Sequence, residues 1–334
     1  MSPEFDVASF GETMLRLSTA RGERLERAGS FETFVAGSES NTLACLARLG
    51  LRCAWSSALP PNPLGRRIAA ELRGYGVDVG YVVWSGSRVG LYYTEEAPPP
   101  LGVRTHYDRA GSACAEIEPA ALDLAMVDRA RLLHLTGITL AIGAGARRAF
   151  ERLLVRAVET QTPISFDVNY RAKLWSPESA AEGVESACRS ASLLFCTSQD
   201  AAELWGLTGD SEHVLRSLAT RFGAADDDED ARTYVLTLGA AGSARLHNGV
   251  YEAAPVVPTE GDARFGSGDA FSAGYICAHL EGELYVRARE EFRTTPLQFG
   301  NALAALKRCI PGDIASVAPD EVLEVLRGGV ARFR

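Results

Sequence analysis

The residues whose types and spacing could do chemistry are concentrated in one stretch, from Arg264 to Gly274. Residues 266–268, glycine-serine-glycine, are too rich in glycine for a helix interior, whereas Phe271, Tyr275 and Ala278 recur at helical spacing. A glycine turn that opens directly into a helix leaves several backbone N–H groups without partners, and the helix dipole adds partial positive charge there. The sequence therefore predicts an anion-binding turn that is suited to phosphate.

Asp269 lies at the mouth of the same predicted helix. A carboxylate beside an anion site repels the anion unless it has a task, such as taking a proton from an attacking hydroxyl. The combination indicates phosphoryl transfer. Asp is also a favoured residue for capping a helix N-terminus, so the turn taken alone leaves a purely structural role for Asp269 open.

The elements that would position this turn follow from the rest of the chain. From residue 120 onward, segments typical of strands alternate with segments typical of helices, and the last of these include helices predicted at 268–281 and 296–309. Alternation of this length favours an α/β fold with a mainly parallel central sheet and helices on both faces. Ligands bind such sheets at the carboxyl ends of the strands, which is where the glycine turn should lie.

Residues 81–109 have a different pattern. They contain short runs typical of strands, at 81–84, 89–94 and 104–107, joined by glycine and proline turns with no helix between them. Together with residues 11–37 they are predicted to form a small antiparallel sheet that lies over the main domain as a lid. We therefore expect residues 1–334 to form one domain that carries this lid.

Composition limits the classes of partner. The chain has 334 residues, of which 46% are apolar and 23% charged, as is ordinary for a soluble globular protein. The net charge of −9 argues against a nucleic acid or an anionic membrane as a general partner. No stretch reaches the roughly 20 apolar residues of a membrane helix, and the N-terminus lacks the basic start and apolar run of a secretory signal. The seven scattered cysteines are expected to be free thiols, as in a cytoplasmic protein.

Several separated motifs, in the right order, together resemble the ribokinase-like (PfkB) family of carbohydrate kinases across nearly the whole chain. The stretch from Ala36 to Gly50 resembles the N-terminal signature of that family, and the stretch from Arg264 to Gly274 resembles its C-terminal one. Within the family, the sequence is most similar to 2-keto-3-deoxygluconate kinases. That similarity is carried by residues 11–17, 108–113, 167–175 and 311–313.

The resemblance implies a ribokinase-like fold and transfer of the γ-phosphoryl group of ATP to the primary (C6) hydroxyl of 2-keto-3-deoxygluconate, with Mg²⁺ accompanying the nucleotide. It implies that Asp269 is the catalytic base and that the backbone amides of Gly266, Ser267 and Gly268 form the anion hole. Arginines pair with carboxylates in a planar, bidentate way, which suits an acid sugar. The implied sugar-binding residues are Gly37, Tyr92, Tyr107, Arg109, Arg171 and Asp313. The implied nucleotide-binding residues are Ser198, Thr237, Gly239, Gly242 and Asn301.

Three positions depart from the family pattern. Ala36 replaces the first of two glycines that usually precede the first helix of the signature. Ala263 replaces an aspartate that helps to hold a monovalent cation in some members, so activation by potassium is not predicted. The family has an Asn/Ser-x-x-Glu motif whose acid helps to organise the magnesium–phosphate complex. Here the motif begins at Ser198, and Ala201 stands where the acid is expected. The metal ligands are therefore left unassigned.

These departures leave other functions open. One is a kinase-derived protein that binds an acid sugar with little or no turnover, and another is a kinase of fructose or a related neutral sugar. A nicotinamide-binding oxidoreductase is excluded because no Gly-x-Gly-x-x-Gly follows the first strand, and an ordinary P-loop kinase is excluded because no Walker motif is present. The resemblance also predicts a possible homo-oligomer through an apolar face of the lid formed by Leu91, Tyr93 and Val103.

Overall fold

The structure, a computed structural model, describes residues 3–97, 100–223 and 232–328. The strands are β1 (Val7–Phe10), β2 (Met14–Ser18), β3 (Glu32–Ala36), β4 (Cys53–Leu59), β5 (Val77–Trp84), β6 (Leu91–Glu96), β7 (Val103–Asp108), β8 (Leu133–Thr136), β9 (Ile164–Asp167), β10 (Leu193–Thr197), β11 (Thr233–Thr237), β12 (Ser243–His247) and β13 (Val250–Ala254). The helices are α1 (Ser38–Arg48), α2 (Pro63–Gly74), α3 (Ala125–Asp128), α4 (Gly137–Ala141), α5 (Ala144–Thr160), α6 (Pro177–Ser190), α7 (Ser198–Trp205), α8 (Ser211–Phe222), α9 (Ser267–His279), α10 (Glu283–Phe292), α11 (Pro296–Arg308) and α12 (Pro319–Leu326).

Nine strands form the central sheet, in the order β13-β12-β11-β10-β9-β8-β1-β4-β5. All neighbours pair in parallel from β11 through to β5, and β12 and β13 extend the sheet as an antiparallel edge. The expectation of a mainly parallel sheet is therefore confirmed. Because the parallel strands share a direction, their carboxyl ends meet at one edge of the sheet.

Apolar side chains cover both faces of this sheet. One buried cluster contains residues of α1, α2, α9 and α11, with Trp55, Tyr275 and Phe299 among its largest members. The other contains residues of α5, α6 and α8, with Phe150 and Phe166 among its largest members. Two cores of this kind are what strands buried on both sides require.

Helices α9 and α11 pack against each other on one face of the central sheet. At their crossing, a side chain on Gly274 would meet the Cα of Gly300 at 2.9 Å, so the two backbones can approach this closely only because glycine stands there. This contact fixes α9, and with it the turn at residues 264–266, against the end of α11. None of the helices in the described ranges is long and apolar enough to cross a membrane.

The lid is a separate four-stranded sheet in the order β3-β2-β6-β7. Two details of its prediction were wrong. The sheet is mixed rather than antiparallel, because β2 pairs with β6 in parallel. Residues 81–84 lie outside it, in β5, where they pair with β4 at the edge of the central sheet.

The predicted apolar face of the lid was also wrong. Val103 pairs with Glu96 across the antiparallel β6–β7 ladder, and paired residues lie on the same face of a sheet. Successive residues alternate between faces, so Val103 shares a face with Tyr92, whereas Leu91 and Tyr93 lie on the other. The three residues do not form one surface, and the oligomeric state stays a prediction.

Candidate active site

The turn predicted to bind an anion is formed as a helix N-terminus. Gly266 caps α9 in the left-handed region, with φ of 75°, and a side chain there would meet the carbonyl oxygen of Asp313 at 1.8 Å. Glycine is therefore required at this position for two independent reasons. Within the described residues, the backbone N–H groups of Gly268 and Asp269 meet no acceptor. These free donors, together with the helix dipole, make the turn attractive to a phosphate group.

Asp269 is the third residue of α9 and does not cap it, because Gly266 is the capping residue. Its Oδ1 accepts a hydrogen bond from the Ser38 hydroxyl at 2.7 Å, and its Oδ2 accepts one from Asn41 Nδ2 at 2.7 Å. Ser38 accepts in turn from Asn169 Nδ2 at 2.8 Å. Two donors from the first turn of α1 thus hold the carboxylate in one orientation.

The electrostatic surroundings of Asp269 suit a base. Burial raises the pKa of its carboxyl, while the hydrogen bonds from Asn41 and Ser38 and the positive charges of Arg171 and Lys307 act in the opposite direction. A carboxylate with a raised pKa is a stronger base than an exposed one, and the neighbouring donors and cations still favour its ionised form.

A cavity of about 360 Å³ lies between the lid and α1, and we call it the lid cavity. It is lined by Asp269 and Gly266 and by every residue predicted to bind sugar. These are Gly37, Tyr92, Tyr107, Arg109, Arg171 and Asp313. The structure therefore brings together residues from six separate parts of the sequence, although their roles toward a sugar stay predictions.

Asp313 is held by two buried partners at the floor of the lid cavity. The Tyr92 hydroxyl donates to its Oδ1 at 2.6 Å, and Arg16 Nη1 lies 3.2 Å from its Oδ2. The Arg16 guanidinium is itself sandwiched between the rings of Phe34 and Phe265, at 4.4 and 4.6 Å from their centroids. Arg16 Nη1 and Asp313 Oδ2 thus form a buried ion pair, and of these two residues only Asp313 lines the lid cavity.

The two predicted arginines differ in their surroundings. Arg109 is buried and donates from Nε to Glu12 Oε2 at 2.8 Å, with a second contact from Nη2 to the same oxygen. Its charge is therefore already balanced by Glu12. Arg171 is exposed to the cavity, and within the described residues its one hydrogen bond is from Nη1 to the carbonyl of Tyr170, at 2.9 Å. Arg171 is consequently the arginine with donors to spare for an incoming carboxylate.

A second cavity, of about 570 Å³, lies between the loop after β11 and helix α11, and we call it the outer cavity. Four of the five predicted nucleotide-binding residues line it, namely Thr237, Gly239, Gly242 and Asn301. Asn301 also supports the wall, because its amide donates to the carbonyl of Pro255 at 2.8 Å and accepts from Ser243. Ser198 is not among the residues that line this cavity, and its role toward a nucleotide stays a prediction.

A third space, the junction cavity of about 310 Å³, connects the other two. Residues 264–269 line it together with Asp167, Asn169, Thr197 and Arg171. Gly266 and Asp269 also face the lid cavity, whereas Ser267 and Gly268 also face the outer cavity. The anion turn therefore lies at the boundary between the two larger cavities.

Asp200 lies in the first turn of α7. The side chain of Thr197 caps this helix by accepting from the Asp200 amide at 2.8 Å, so an acid stands one residue before Ala201, and the metal ligands stay unassigned. Asp200 is buried and accepts from the backbone N–H of Tyr170 at 3.3 Å. It therefore fixes the loop that carries Arg171.

Asp167 ends β9 and faces the junction cavity. Burial raises the pKa of its carboxyl to about 8, and the negative charges of Asp269 and Asp200 add to the effect. Within the described residues no group of three or more His, Cys, Asp or Glu side chains could hold a metal ion. A cation at this point would depend on ligands supplied by a bound phosphate as well as on Asp167.

The sequence profile of the pfkB family carbohydrate kinases matches residues 4–320 of this chain. The chain belongs to this family. The pfkB kinase described here is 39% identical to a 2-dehydro-3-deoxygalactonokinase of Haloferax volcanii, over 98% of each chain. It is 29% identical to a 2-dehydro-3-deoxygluconokinase of Bacillus subtilis, over 96% of this chain and 94% of that one.

Solved structures agree with the fold of this pfkB kinase. A 2-dehydro-3-deoxygluconokinase from Thermotoga maritima superposes with a TM-score of 0.85 and 27% identity, covering 98% of this chain and 100% of that chain. The ribokinase-like α/β fold with a small separate sheet is thereby confirmed.

Sequence reasoning missed Glu12 and Asp167, which line the cavities of this pfkB kinase, and the buried cations Arg16 and Lys307, which influence Asp313. Arg16 and Glu12 belong to the stretch 11–17 that carried the resemblance, and Arg16 stands between two leucines in a buried strand, which is a usable signal. Lys307 follows Phe299 and Leu303 at spacings of four residues, so it lies on the apolar face of α11. A lysine on an apolar face predicts a buried charge with a partner.

Proposed function

We propose that this pfkB kinase transfers the γ-phosphoryl group of ATP to the C6 hydroxyl of a 2-keto-3-deoxy acid sugar, either the gluconate or its C4 epimer, the galactonate. One observation carries the proposal: Asp269 and the anion turn lie where the lid cavity and the outer cavity meet. A hydroxyl from one side and a phosphate from the other can reach each other only at such a boundary. The names of the relatives support this choice of substrates.

In the proposed reaction Asp269 accepts the proton of the C6 hydroxyl as its oxygen attacks the γ-phosphorus of ATP. The bond from that phosphorus to the β–γ bridging oxygen breaks, and ADP leaves through the outer cavity. The free N–H groups of Gly268 and Asp269 donate to the oxygens of the transferring group, where negative charge is redistributed. Ser38 and Asn41 keep the carboxylate oriented toward the hydroxyl.

The carboxylate of the acid sugar is proposed to bind Arg171, whose fork has unused donors facing the lid cavity. Tyr107 and Arg109 line the same wall and would contact the sugar from the lid. Asp313, which lines the lid cavity, would accept from a sugar hydroxyl, and the buried Arg16 would hold its carboxylate in place.

Mg²⁺ fits the junction cavity as an ion that arrives with ATP. Mg²⁺ is usually held by one or two carboxylates, several waters and substrate phosphates, and Asp167 supplies such a carboxylate beside the anion turn. A divalent cation there would offset the crowding of Asp167, Asp200 and Asp269, and it would neutralise charge on the phosphates.

The test is ATP-dependent turnover with three candidate acceptors: 2-keto-3-deoxygluconate, 2-keto-3-deoxygalactonate and fructose. ADP release is followed by a coupled assay, and the phosphorylated carbon is identified by NMR of the product. We expect turnover of at least one acid sugar with the phosphate at C6. Faster turnover of fructose would contradict the choice of substrate, and binding of an acid sugar without ADP release would indicate a sensor.

A further inference from the structure

Lys307, the penultimate residue of α11, is a fully buried cation that the proposed chemistry does not use. Its Nζ donates to the carbonyl oxygen of Ile310 at 2.9 Å. Of the 34 lysines and arginines in the chain, only Lys173 and Lys307 are lysines. Almost all other positively charged side chains of this protein are arginines, so the compact ammonium group of Lys307 is unusual.

The carbonyl that Lys307 holds belongs to the segment that supports the anion turn. The backbone N–H of Ala263 donates to the carbonyl of Arg308 at 3.1 Å. A side chain on Gly261 would meet the carbonyl oxygen of Arg308 at 2.4 Å, and one on Gly266 would meet that of Asp313 at 1.8 Å. Residues 261–266 and 308–313 are therefore in direct backbone contact. The ammonium of Lys307 holds residues 308–313 through the carbonyl of Ile310.

Charged side chains from both ends of the site influence the protonation of Lys307. Asp313, Asp269 and Glu96 favour its charged form, whereas Arg16 opposes it, and burial is the largest influence, lowering its pKa to about 8. In return, its positive charge favours the ionised forms of Asp269 and Asp313.

We infer that the ammonium of Lys307 is a built-in cation that holds the 308–313 segment against the anion turn and so fixes the position of Asp269, making a bound monovalent ion unnecessary. The inference rests on the proposed function. The surroundings do not fit a monovalent ion, because Ala263 offers no carboxylate and Nζ already holds the Ile310 carbonyl. Lys307 is thus a positioning residue that acts through the turn and through Asp269.

An ammonium suits this place better than a guanidinium. It is a compact point charge with three donors, close in shape to a small cation, whereas arginine presents a broad planar fork. The Arg16 guanidinium nearby, held between Phe34 and Phe265, shows the space that the larger group needs.

The test compares two substitutions at one position in solutions of equal ionic strength containing choline, sodium, potassium or ammonium chloride. Lys307→Ala leaves room for a small cation, whereas Lys307→Met removes the charge but fills the space. We expect wild-type kcat to vary by less than about twofold among the four salts, and both variants to lose about tenfold or more in choline. Ammonium or potassium should restore part of the rate of Lys307→Ala and none of that of Lys307→Met.

Leu303→Ala is the matched control, because Leu303 is fully buried on the same face of α11 and carries no charge. It should lower the unfolding temperature without any response to ammonium. A wild-type rate that requires potassium would overturn the inference, as would full activity of Lys307→Ala or a loss of activity that no cation restores.

Thermal unfolding separates this inference from the proposed function. If wild-type protein turns over no acid sugar, the proposed function fails. Lys307 is then judged by stability alone, because ammonium should raise the unfolding temperature of Lys307→Ala and leave that of the wild type unchanged. An equal effect of ammonium on both proteins would overturn the inference.

Discussion

Removing the guanidinium of Arg171 should weaken binding of the acid sugar more than it slows the chemical step, to which Arg171 contributes only by favouring the ionised form of Asp269. Within the described residues Arg171 uses one of its five N–H donors on the Tyr170 carbonyl, and its side chain lines both the lid cavity and the junction cavity. Its carbonyl partner is a neighbour in the chain, so the substitution Arg171→Ala breaks no long-range contact. We therefore expect the variant to fold with an unchanged unfolding temperature.

The magnitude follows from the kind of bond that is lost. A hydrogen bond to a charged group is worth about 1.5–3 kcal/mol, and about 1.4 kcal/mol corresponds to a factor of ten in affinity. The KM for the acid sugar should then rise about 10- to 100-fold in Arg171→Ala. Arg171→Lys keeps the charge but loses the planar fork, so its KM should lie between those of the wild type and Arg171→Ala.

The assay is coupled ADP release at saturating ATP, with the concentration of 2-keto-3-deoxygluconate or its galactonate epimer varied. Arg148→Ala, an exposed arginine on α5, is the control for loss of one positive charge and should leave KM unchanged. An unchanged KM in Arg171→Ala would refute the assignment of the carboxylate to this residue. A raised KM for fructose as well would show that Arg171 supports the cavity rather than recognising a carboxylate.

Two further predictions concern the turn and the buried carboxylates. Gly266→Ala should lower both kcat and the unfolding temperature, because the φ of Gly266 is 75° and a Cβ there would meet the Asp313 carbonyl oxygen at 1.8 Å. Gly268→Ala should fold normally, because a Cβ there meets nothing within 4 Å, and it should raise the KM for ATP. Equal unfolding temperatures for the two variants would contradict this. Burial raises the folded-state pKa of Asp167 from 3.8 to about 8, so the stability linked to its protonation is present below pH 3.8 and is lost as the pH rises through 8. Asp167→Asn should therefore gain in unfolding temperature relative to wild type between pH 5 and about pH 8, measured without nucleotide, and a constant difference would contradict the pKa shift.

The sequence was sufficient for features that local patterns determine. Strand–helix alternation predicted the parallel sheet, and a glycine turn before an apolar helical repeat predicted the start of α9. It was insufficient where the choice of partner is decided by distant segments. Residues 81–84 have the pattern of any short strand, and only the pairing with β4 places them in the central sheet instead of the lid.

The same distinction holds for the site. The six predicted sugar-binding residues meet in one cavity because the fold brings together the separate motifs that carried the family resemblance. The neutralisation of Arg109 by Glu12 could not be predicted, since the two residues are separated by most of the lid sequence. The contact of Asp200 with the backbone N–H of Tyr170 could not be predicted either, because it joins two loops that are separated by a helix in the sequence.

The central claim, that Asp269 takes the proton of the attacking hydroxyl, is tested most directly by the kcat of Asp269→Asn at saturating ATP and acid sugar. The amide keeps the size of the side chain but cannot serve as a base, and a positioned base contributes about 10²–10⁴ in rate. Asp262→Asn is the matched control, because Asp262 lies in the same segment with an exposed side chain paired to Arg21. We expect kcat to fall about 10²-fold or more in Asp269→Asn, with unchanged ATP affinity and no loss of stability. A kcat within a few-fold of the wild type would contradict it.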